Sequence, residues 1–162
     1  MKPEVRHGPR GEGRAADSPA PPVLGVGAVV LVPAAAIGAA GEELHVLLVR
    51  RGRPPGKGTW SLPGGRVKGG ERLFDAAARE VLEETALAVE IGELLEAVEL
   101  VSDEFHYVVF DYRATLRDTR VRPVAGDDAD DARFVALSEL GRHGVTEAVA
   151  RVVARAVSLS GG

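Results

Sequence analysis

Apolar positions along the chain form short extended runs and two helical stripes. The run Val23–Val32 is uncharged and rich in β-branched residues, and Pro33 follows it. This pattern predicts a buried strand that ends at the proline. His45–Arg50 predicts a second strand that pairs with the first. Further extended runs are expected at Trp60–Leu62, Ala88–Val101, Phe105–Leu116 and Ala132–Ala136, with a turn at Pro63–Gly65 and an acidic loop at Arg120–Asp131.

Two segments have the helical period instead. In Gly70–Thr85 the apolar stripe consists of Leu73, Phe74, Ala77, Ala78 and Val81. In Thr146–Ser158 it consists of Val149, Val152, Val153 and Val157, and Thr146 is a suitable N-cap. Because strands and helices are mixed along the chain, we expect an α/β fold with helices on both faces of the sheet.

The chain is expected to divide into a flexible tail at residues 1–22 and one domain at residues 23–158. The tail is rich in Pro, Gly and charges of both signs and lacks an apolar period. Val23–Ala40 is also long enough to raise two alternatives, a membrane span and the core of a signal peptide. Pro33 and several glycines weaken it as a lone helix, which favours a strand followed by a loop.

Charge and composition limit the classes of partner. The 162 residues carry a formal net charge of -4, which argues against broad nucleic-acid binding. There is no cysteine, so disulfides, thiolate nucleophiles and cysteine zinc sites are excluded. We expect a cytoplasmic protein that binds neither nucleic acid nor membranes.

Three glutamates in the first predicted helix are the main candidates for chemistry. Glu80 and Glu84 lie four residues apart and Glu83 lies between them, so their side chains can converge. A hard divalent cation with oxygen ligands would relieve their repulsion. The alternative is a solvated acidic surface in which Arg79 pairs with Glu83. The preceding Gly64–Gly65 favours the cation, because a glycine carbonyl can approach a metal closely.

The spacing around these glutamates resembles a family signature. Gly65 is followed by five residues and Glu71, then by seven residues and the run Arg79–Leu87, REVLEETAL. This resembles the signature box of the Nudix hydrolases, G-x5-E-x7-R-E-U-x-E-E-x-G-U, where U is aliphatic. Ala86 stands where that family has glycine, a departure that affects the helix end and removes no acidic ligand.

The resemblance implies a fold, a cofactor and site residues. The fold would be a Nudix-type α/β/α sandwich with a mixed β-sheet between helices. Glu80, Glu83 and Glu84, with the Gly65 carbonyl, would hold Mg²⁺ or Mn²⁺. Arg79 would orient the carboxylates, and Glu71 would contribute indirectly, so that Glu83, Glu80, Arg79 and Glu71 form the catalytic set. The general base stays open between a box glutamate and one of Asp127, Asp128, Asp130 and Asp131.

Residues upstream of the box are expected to contact a nucleotide-type substrate. Arg50, Arg51 and Lys57 are suited to phosphate groups. Trp60 could stack on a base, with core packing as the alternative.

The resemblance implies hydrolysis of a nucleoside diphosphate linked to another group. Nucleoside triphosphates and nucleotide sugars such as ADP-ribose both remain open as substrates. Some ADP-ribose enzymes of the family carry a proline shortly after the box, whereas Pro123, the only proline downstream of the box, lies further away. The alternative function is a catalytically inactive Nudix-like nucleotide-binding or regulatory module. A homodimer is compatible with either function.

Overall fold

A computed structural model describes residues 20–54 and 56–161, so nearly all of the predicted tail at residues 1–22 lies outside the described residues. The elements within them are, in chain order, β1 (Val23–Pro33), β2 (Leu44–Arg51), β3 (Trp60–Ser61), β4 (Gly64–Arg66), α1 (Leu73–Thr85), β5 (Val89–Val101), β6 (His106–Leu116), β7 (Ala129–Ala136) and α2 (Glu147–Ser160). Two 3₁₀ turns, Ala34–Ile37 and Leu137–Glu139, follow β1 and β7.

The strands form one mixed sheet with β1 at its centre. The strand order is β3-β2-β1-β6-β5, while β4 pairs with β1 and β7 pairs with β2. β1 and β6 are parallel, and every other described pair is antiparallel. The predicted pairing of β1 with β2 is confirmed by the register of Leu31 with Val46.

Both faces of β1 are covered, which explains why its sequence is a continuous apolar run. On one face Val29 packs in a core cluster with Val152 and Val153 of α2. On the other face Val30 packs with Val81 of α1. The expected α/β/α arrangement is therefore confirmed, and the strand interpretation of Val23–Val32 holds over a membrane helix. In the described ranges, no helix is long and apolar enough to cross a membrane.

The first helix begins three residues later than the periodicity predicts. Gly70 has φ of 78°, and the Glu71 amide donates to the Lys68 carbonyl, so this stretch is a turn. The Phe74 side chain was expected in the buried stripe, but Phe74 is 52% exposed and its ring lies edge-on to Tyr112. Ala76 is buried instead, beside the predicted stripe residues Ala77 and Val81.

Two segments that the sequence predicts as irregular are strands. Gly64 and Gly65, expected in a turn, belong to β4 and pair with Gly27 and Val26 of β1. The approach is so close that a Cβ on Gly64 would overlap the Val26 carbonyl oxygen. Similarly, β7 begins at Ala129 and not at Ala132, so the acidic loop is shorter than expected. Both strands depend on distant partners, which local composition does not reveal.

Candidate active site

Five acidic residues from two segments line one cavity. Glu80, Glu83 and Glu84 come from the last turns of α1, and Asp127 and Asp128 come from the loop before β7. The cavity has a volume of about 220 Å³. The Arg79–Glu83 pair of the solvated-surface alternative is present, with the Glu83 side chain 55% exposed, but all three glutamates also line this shared cavity.

Arg79 holds three of the box carboxylates in place. Its guanidinium donates to Glu71 Oε1 at 2.6 Å and to Glu71 Oε2 at 3.0 Å. The same group donates to Glu80 at 2.8 Å and to Glu83 at 3.2 Å, and a further bond reaches the Arg66 carbonyl. A planar guanidinium can make this fork, whereas an ammonium cannot. The predicted orienting role of Arg79 thus has a structural basis, with Glu71 as its bidentate partner.

The contacts of Glu71 keep it ionised. Its hydrogen bonds from Arg79, and then from the Lys68 amide, lower its pKa to about 2. Glu71 therefore acts in this structure as the anion that fixes Arg79, while Arg79 in turn fixes Glu80 and Glu83. The same pairing raises the pKa of Arg79.

Glu84 is the box acid whose charge is least favoured. Burial raises its pKa to about 7, and the charges of Glu80 and Asp128 add to that effect. The Gly64 amide donates to Glu84 Oε2 at 3.0 Å, and the charge of Arg51 also acts in the opposite direction. A cation bound beside Glu84 would favour the ionised form of this carboxyl group.

Gly65 provides a cradle beside Glu80. A Cβ at this position would lie 2.5 Å from the Glu80 carboxyl carbon and from its Oε1. The absence of a side chain therefore lets this carboxylate lie against the β4 backbone. Gly65 is the first residue of the signature spacing, and its contact with Glu80 explains why a side chain would not fit there.

The acidic loop is fastened to the end of α1 through its backbone. The Val124 amide donates to the Thr85 carbonyl at 2.8 Å, and the Gly126 amide donates to the Glu84 carbonyl at 3.0 Å. A Cβ on Gly126 would overlap the Glu83 carbonyl oxygen. Gly126 therefore places Asp127 and Asp128 at the cavity. Sequence analysis missed Gly126, because nothing in its neighbours indicates a contact with a helix end.

Asp127 and Asp128 are the downstream acids that reach the site. Asp128 also pairs with Arg53 at 3.0 Å, and its carbonyl accepts from the Gly52 amide. The other two acids named from sequence lie in β7, where Asp131 pairs with Arg133. Of the four aspartates considered as the general base, Asp127 and Asp128 therefore line the cavity.

Ala86 takes the backbone conformation of the glycine it replaces. Its φ and ψ are 59° and 14°, in the left-handed region, and it ends α1 with its amide bonded to the Leu82 carbonyl. Among the described residues it is the one non-glycine with positive φ. The helix end is thus preserved, with backbone strain at this residue.

None of the four residues expected to contact substrate lines the cavity. The charge of Arg51 acts on Glu84, and Lys57 is exposed on the loop between β2 and β3. Trp60 packs against the core cluster on the α2 face, with the Arg50 and Arg133 guanidiniums 5.7 and 5.1 Å from its ring centroid. Its ring also meets His143 edge-on at 5.2 Å. Trp60 thus makes the packing contacts of the alternative interpretation, and its stacking on a base stays a prediction.

The donors fit a hard divalent cation, although they are not yet arranged around one. As placed in residues 20–54 and 56–161, no three acidic or histidine side chains are grouped to hold one ion. Arg79 holds Glu80 and Glu83, and the Gly64 amide holds Glu84. The donor set is nevertheless all oxygen, as Mg²⁺ and Mn²⁺ prefer, and Gly65, which has no side chain, lies against the Glu80 carboxylate.

Known proteins are similar to this chain in sequence and in fold. A NUDIX domain model matches residues 26–156. An ADP-ribose pyrophosphatase of Methanocaldococcus jannaschii is 34% identical over 111 residues, 68% of this chain and 66% of that protein. The crystal structure of a MutT NUDIX hydrolase from Burkholderia pseudomallei superposes with a TM-score of 0.67 at 27% identity, covering 84% of this chain and 98% of that one.

The match to whole relatives is less complete than the match to the domain. A Caenorhabditis elegans relative is 34% identical over 70 residues, which make up 19% of its length. The chain thus spans about a fifth of that protein and 66% of the M. jannaschii enzyme. The domain match, in contrast, runs from β1 to α2 and includes the whole acidic box. The chain belongs to the Nudix family.

Proposed function

We propose that this chain hydrolyses the pyrophosphate bond of a nucleoside diphosphate linked to another group, with Mg²⁺ or Mn²⁺ as cofactor. The main support for this proposal is that the box glutamates share one cavity with Asp127 and Asp128. Such a concentration of acids is suited to cations, which in turn bind phosphate oxygens. Related proteins named ADP-ribose pyrophosphatase and putative 8-oxo-dGTP diphosphatase support the same reaction class.

The cofactor would be held by the Glu80, Glu83 and Glu84 carboxylates and by the Gly65 carbonyl. When bound, it supplies charge neutralisation for the phosphoryl oxygens and lowers the pKa of a coordinated water. Arg79 positions Glu80 and Glu83, and Glu71 fixes Arg79. Basic Arg51, next to Glu84, is placed to attract the phosphates.

The attacking water gives its proton to an acid of the same cavity. The candidates are Glu84 and the loop residues Asp127 and Asp128. Substitution of each acid with its amide separates them, since loss of the base lowers kcat with little effect on KM.

The substrate class is tested with a panel of phosphoanhydrides. Nucleoside triphosphates, ADP-ribose, other nucleotide sugars and dinucleoside polyphosphates are incubated with the protein and either Mg²⁺ or Mn²⁺, and the products are identified. We expect cleavage within the pyrophosphate of at least one substrate group, abolished by a chelator. Binding without turnover in both metals would favour the inactive nucleotide-binding module instead.

A further inference from the structure

Strand β5 lies at the edge of the sheet, and its outer side has no partner strand among residues 20–54 and 56–161. Its first half contains two register shifts, one between Ile91 and Leu94 and one between Leu94 and Glu96. From Glu96 to Val101, in contrast, the pairing with β6 is continuous, and this run contains no proline. Bulges and prolines are devices that keep an edge strand from pairing with another chain. We call Glu96–Val101 the free edge, because it lacks both.

Exposed apolar side chains flank the free edge on the face of the sheet that α1 covers. Phe74 of α1 lies edge-on to Tyr112, which pairs in register with Leu94. Val101 belongs to the same face, because its register partner His106 lies an even number of residues before Tyr112 in β6. The helix therefore leaves this margin of the sheet uncovered.

The opposite face carries a second apolar group. Leu100 pairs in register with Tyr107, and the Phe105 ring centroid lies 5.4 Å from that of Tyr107. The large apolar side chains around the free edge belong to residues that are 43–65% exposed: Phe74, Leu94, Leu100, Val101 and Phe105. Together they present roughly 400–500 Å² of apolar surface. A standard interface buries about 800 Å² on each partner, a little over half of it apolar, so this area is sufficient for a stable dimer.

The glutamates of the free edge are paired within the chain. Glu96 contacts Arg151 of α2 at 3.1 Å, and Glu99 contacts His106 of β6 at 3.1 Å. Like charges directly opposite each other destabilise a pair of strands. The two internal contacts lessen this repulsion when a second β5 strand approaches, in full where His106 is protonated.

Two β5 strands can also pair without placing glutamates opposite each other. In an antiparallel pair with Val98 of both copies on a twofold axis, Glu96 faces Leu100 of the second copy. Glu99 faces Ala97 in the same way. A pair centred on Glu99 would instead place this carboxylate opposite itself. The free edge is therefore complementary to a second copy in the register centred on Val98.

We propose that two copies of this chain associate through the free edge, forming a symmetric dimer with one continuous sheet. The same surface is used by both copies, so the contact closes on itself and gives a dimer. Association pairs the outward backbone groups of β5 and covers the apolar side chains on both faces. The acidic cavity does not include the free edge, so this proposal stands independently of the proposed hydrolysis.

Light scattering over a concentration series of the full chain tests the association. Wild type is expected to reach twice the mass of one chain. Val101→Lys adds a charge beside the free edge in each copy, and should raise the dissociation constant of the dimer at least about tenfold. Val121→Lys is the matched control, because Val121 is also an exposed valine but follows the other end of β6. It should dimerise as wild type does.

Hydrogen exchange of the β5 amides, followed by NMR, locates the contact. Along an edge strand, successive amides alternately face the neighbouring strand and face away from it. The amides of the free edge that face away from β6 should exchange more slowly in concentrated wild type than in dilute wild type. Val101→Lys should remove this difference.

Three results would overturn the proposal. The first is a wild type that stays monomeric throughout the concentration series. The second is a dimer in which the outward amides of the free edge remain unprotected. The third is a dimer that Val101→Lys weakens no more than Val121→Lys does.

Discussion

At the scale of single residues, the site depends on the guanidinium group of Arg79, which lies among several carboxylates. Arg79 contacts Glu71, Glu80 and Glu83 at once, and its side chain is 20% exposed. Since it orients the donors without being one, its effect on activity is transmitted through their positions. The resemblance to the Nudix box implies an orienting role for Arg79, but the bidentate bond to Glu71 depends on the turn at Gly70, which periodicity did not predict.

Arg79→Lys should lower hydrolysis and cation affinity about ten- to hundredfold while the protein stays folded. The ammonium keeps the charge but cannot contact three carboxylates together. Turnover and Mn²⁺ binding measure the effect. Arg142→Lys is the control, because Arg142 makes an exposed i,i+3 pair with Glu139 and its side chain is 80% exposed. Equal activity in both variants and wild type contradicts the role of Arg79.

Asp111 should make stability depend on pH in a defined direction. Its pKa rises from 3.8 to about 6 on folding, so the folded state holds the proton more tightly. The stabilising contribution is therefore present below the unfolded pKa and is lost as the pH rises through the folded one. Between pH 4 and pH 8 the free energy of unfolding should fall by about 2 kcal/mol from this group.

Urea unfolding of wild type and Asp111→Asn at pH 4 and pH 8 isolates the contribution of Asp111. Other groups titrate in both proteins, including Glu84, while the amide does not titrate. The free energy of unfolding of Asp111→Asn should increase relative to that of wild type as the pH rises. A difference in unfolding free energy that is the same at both pH values contradicts the shifted pKa of Asp111.

At the scale of elements, the ends of α1 determine how the site is assembled. The helix ends at Ala86 in a left-handed conformation, and the loop before β7 bonds its last carbonyls. Two backbone positions, Ala86 and Gly126, thus control the junction between the box and Asp127–Asp128. Each can be changed without removing an acidic group.

Ala86→Gly should stabilise the protein by about 1 kcal/mol, because glycine relieves the strain of positive φ. Urea unfolding with an unchanged m-value would register it. Ala154→Gly provides the control of opposite sign, since Ala154 is exposed in the middle of α2 and should lose about 1 kcal/mol. A destabilised Ala86→Gly would show that the conformation of this residue is not as described.

Gly126→Ala should reduce hydrolysis by displacing the acidic loop from the cavity. The added Cβ overlaps the Glu83 carbonyl, so the loop or the helix end must move, with a loss of stability of about 1–3 kcal/mol. Activity and thermal unfolding are measured together. Gly141→Ala is the matched control, because a Cβ there has no heavy atom within 4 Å. Unchanged activity in Gly126→Ala would exclude the loop from the site.

At the scale of the whole molecule, the sheet and the box were predictable for different reasons. The strand β1 and the helix α2 could be predicted because their apolar patterns match their buried surfaces, and Thr146 caps α2 by accepting from the Val149 amide. The box could be predicted from its spacing. The short strand β4, the burial of Asp111 and the contact of Gly126 with α1 could not, because each depends on residues far away in sequence.

The domain at residues 23–158 is predicted to act without the preceding segment. β1 begins at Val23, and the domain match begins at residue 26. Deletion of residues 1–19 should therefore leave kcat/KM and the unfolding midpoint unchanged. A loss of activity in the shortened chain would give the segment a part in the site. Light scattering on the same samples tests whether the chain forms the homodimer that either function would allow.

We propose that the box carboxylates perform cation-dependent hydrolysis of a pyrophosphate bond. The most direct measurement is turnover of the best substrate of the panel by Glu83→Gln, with Glu99→Gln as control, over a range of Mg²⁺ concentrations. We expect Glu83→Gln to lose at least about a hundredfold in kcat with the fold intact, while Glu99→Gln matches wild type. Full activity in Glu83→Gln, or wild-type activity that persists in a chelator, would contradict it.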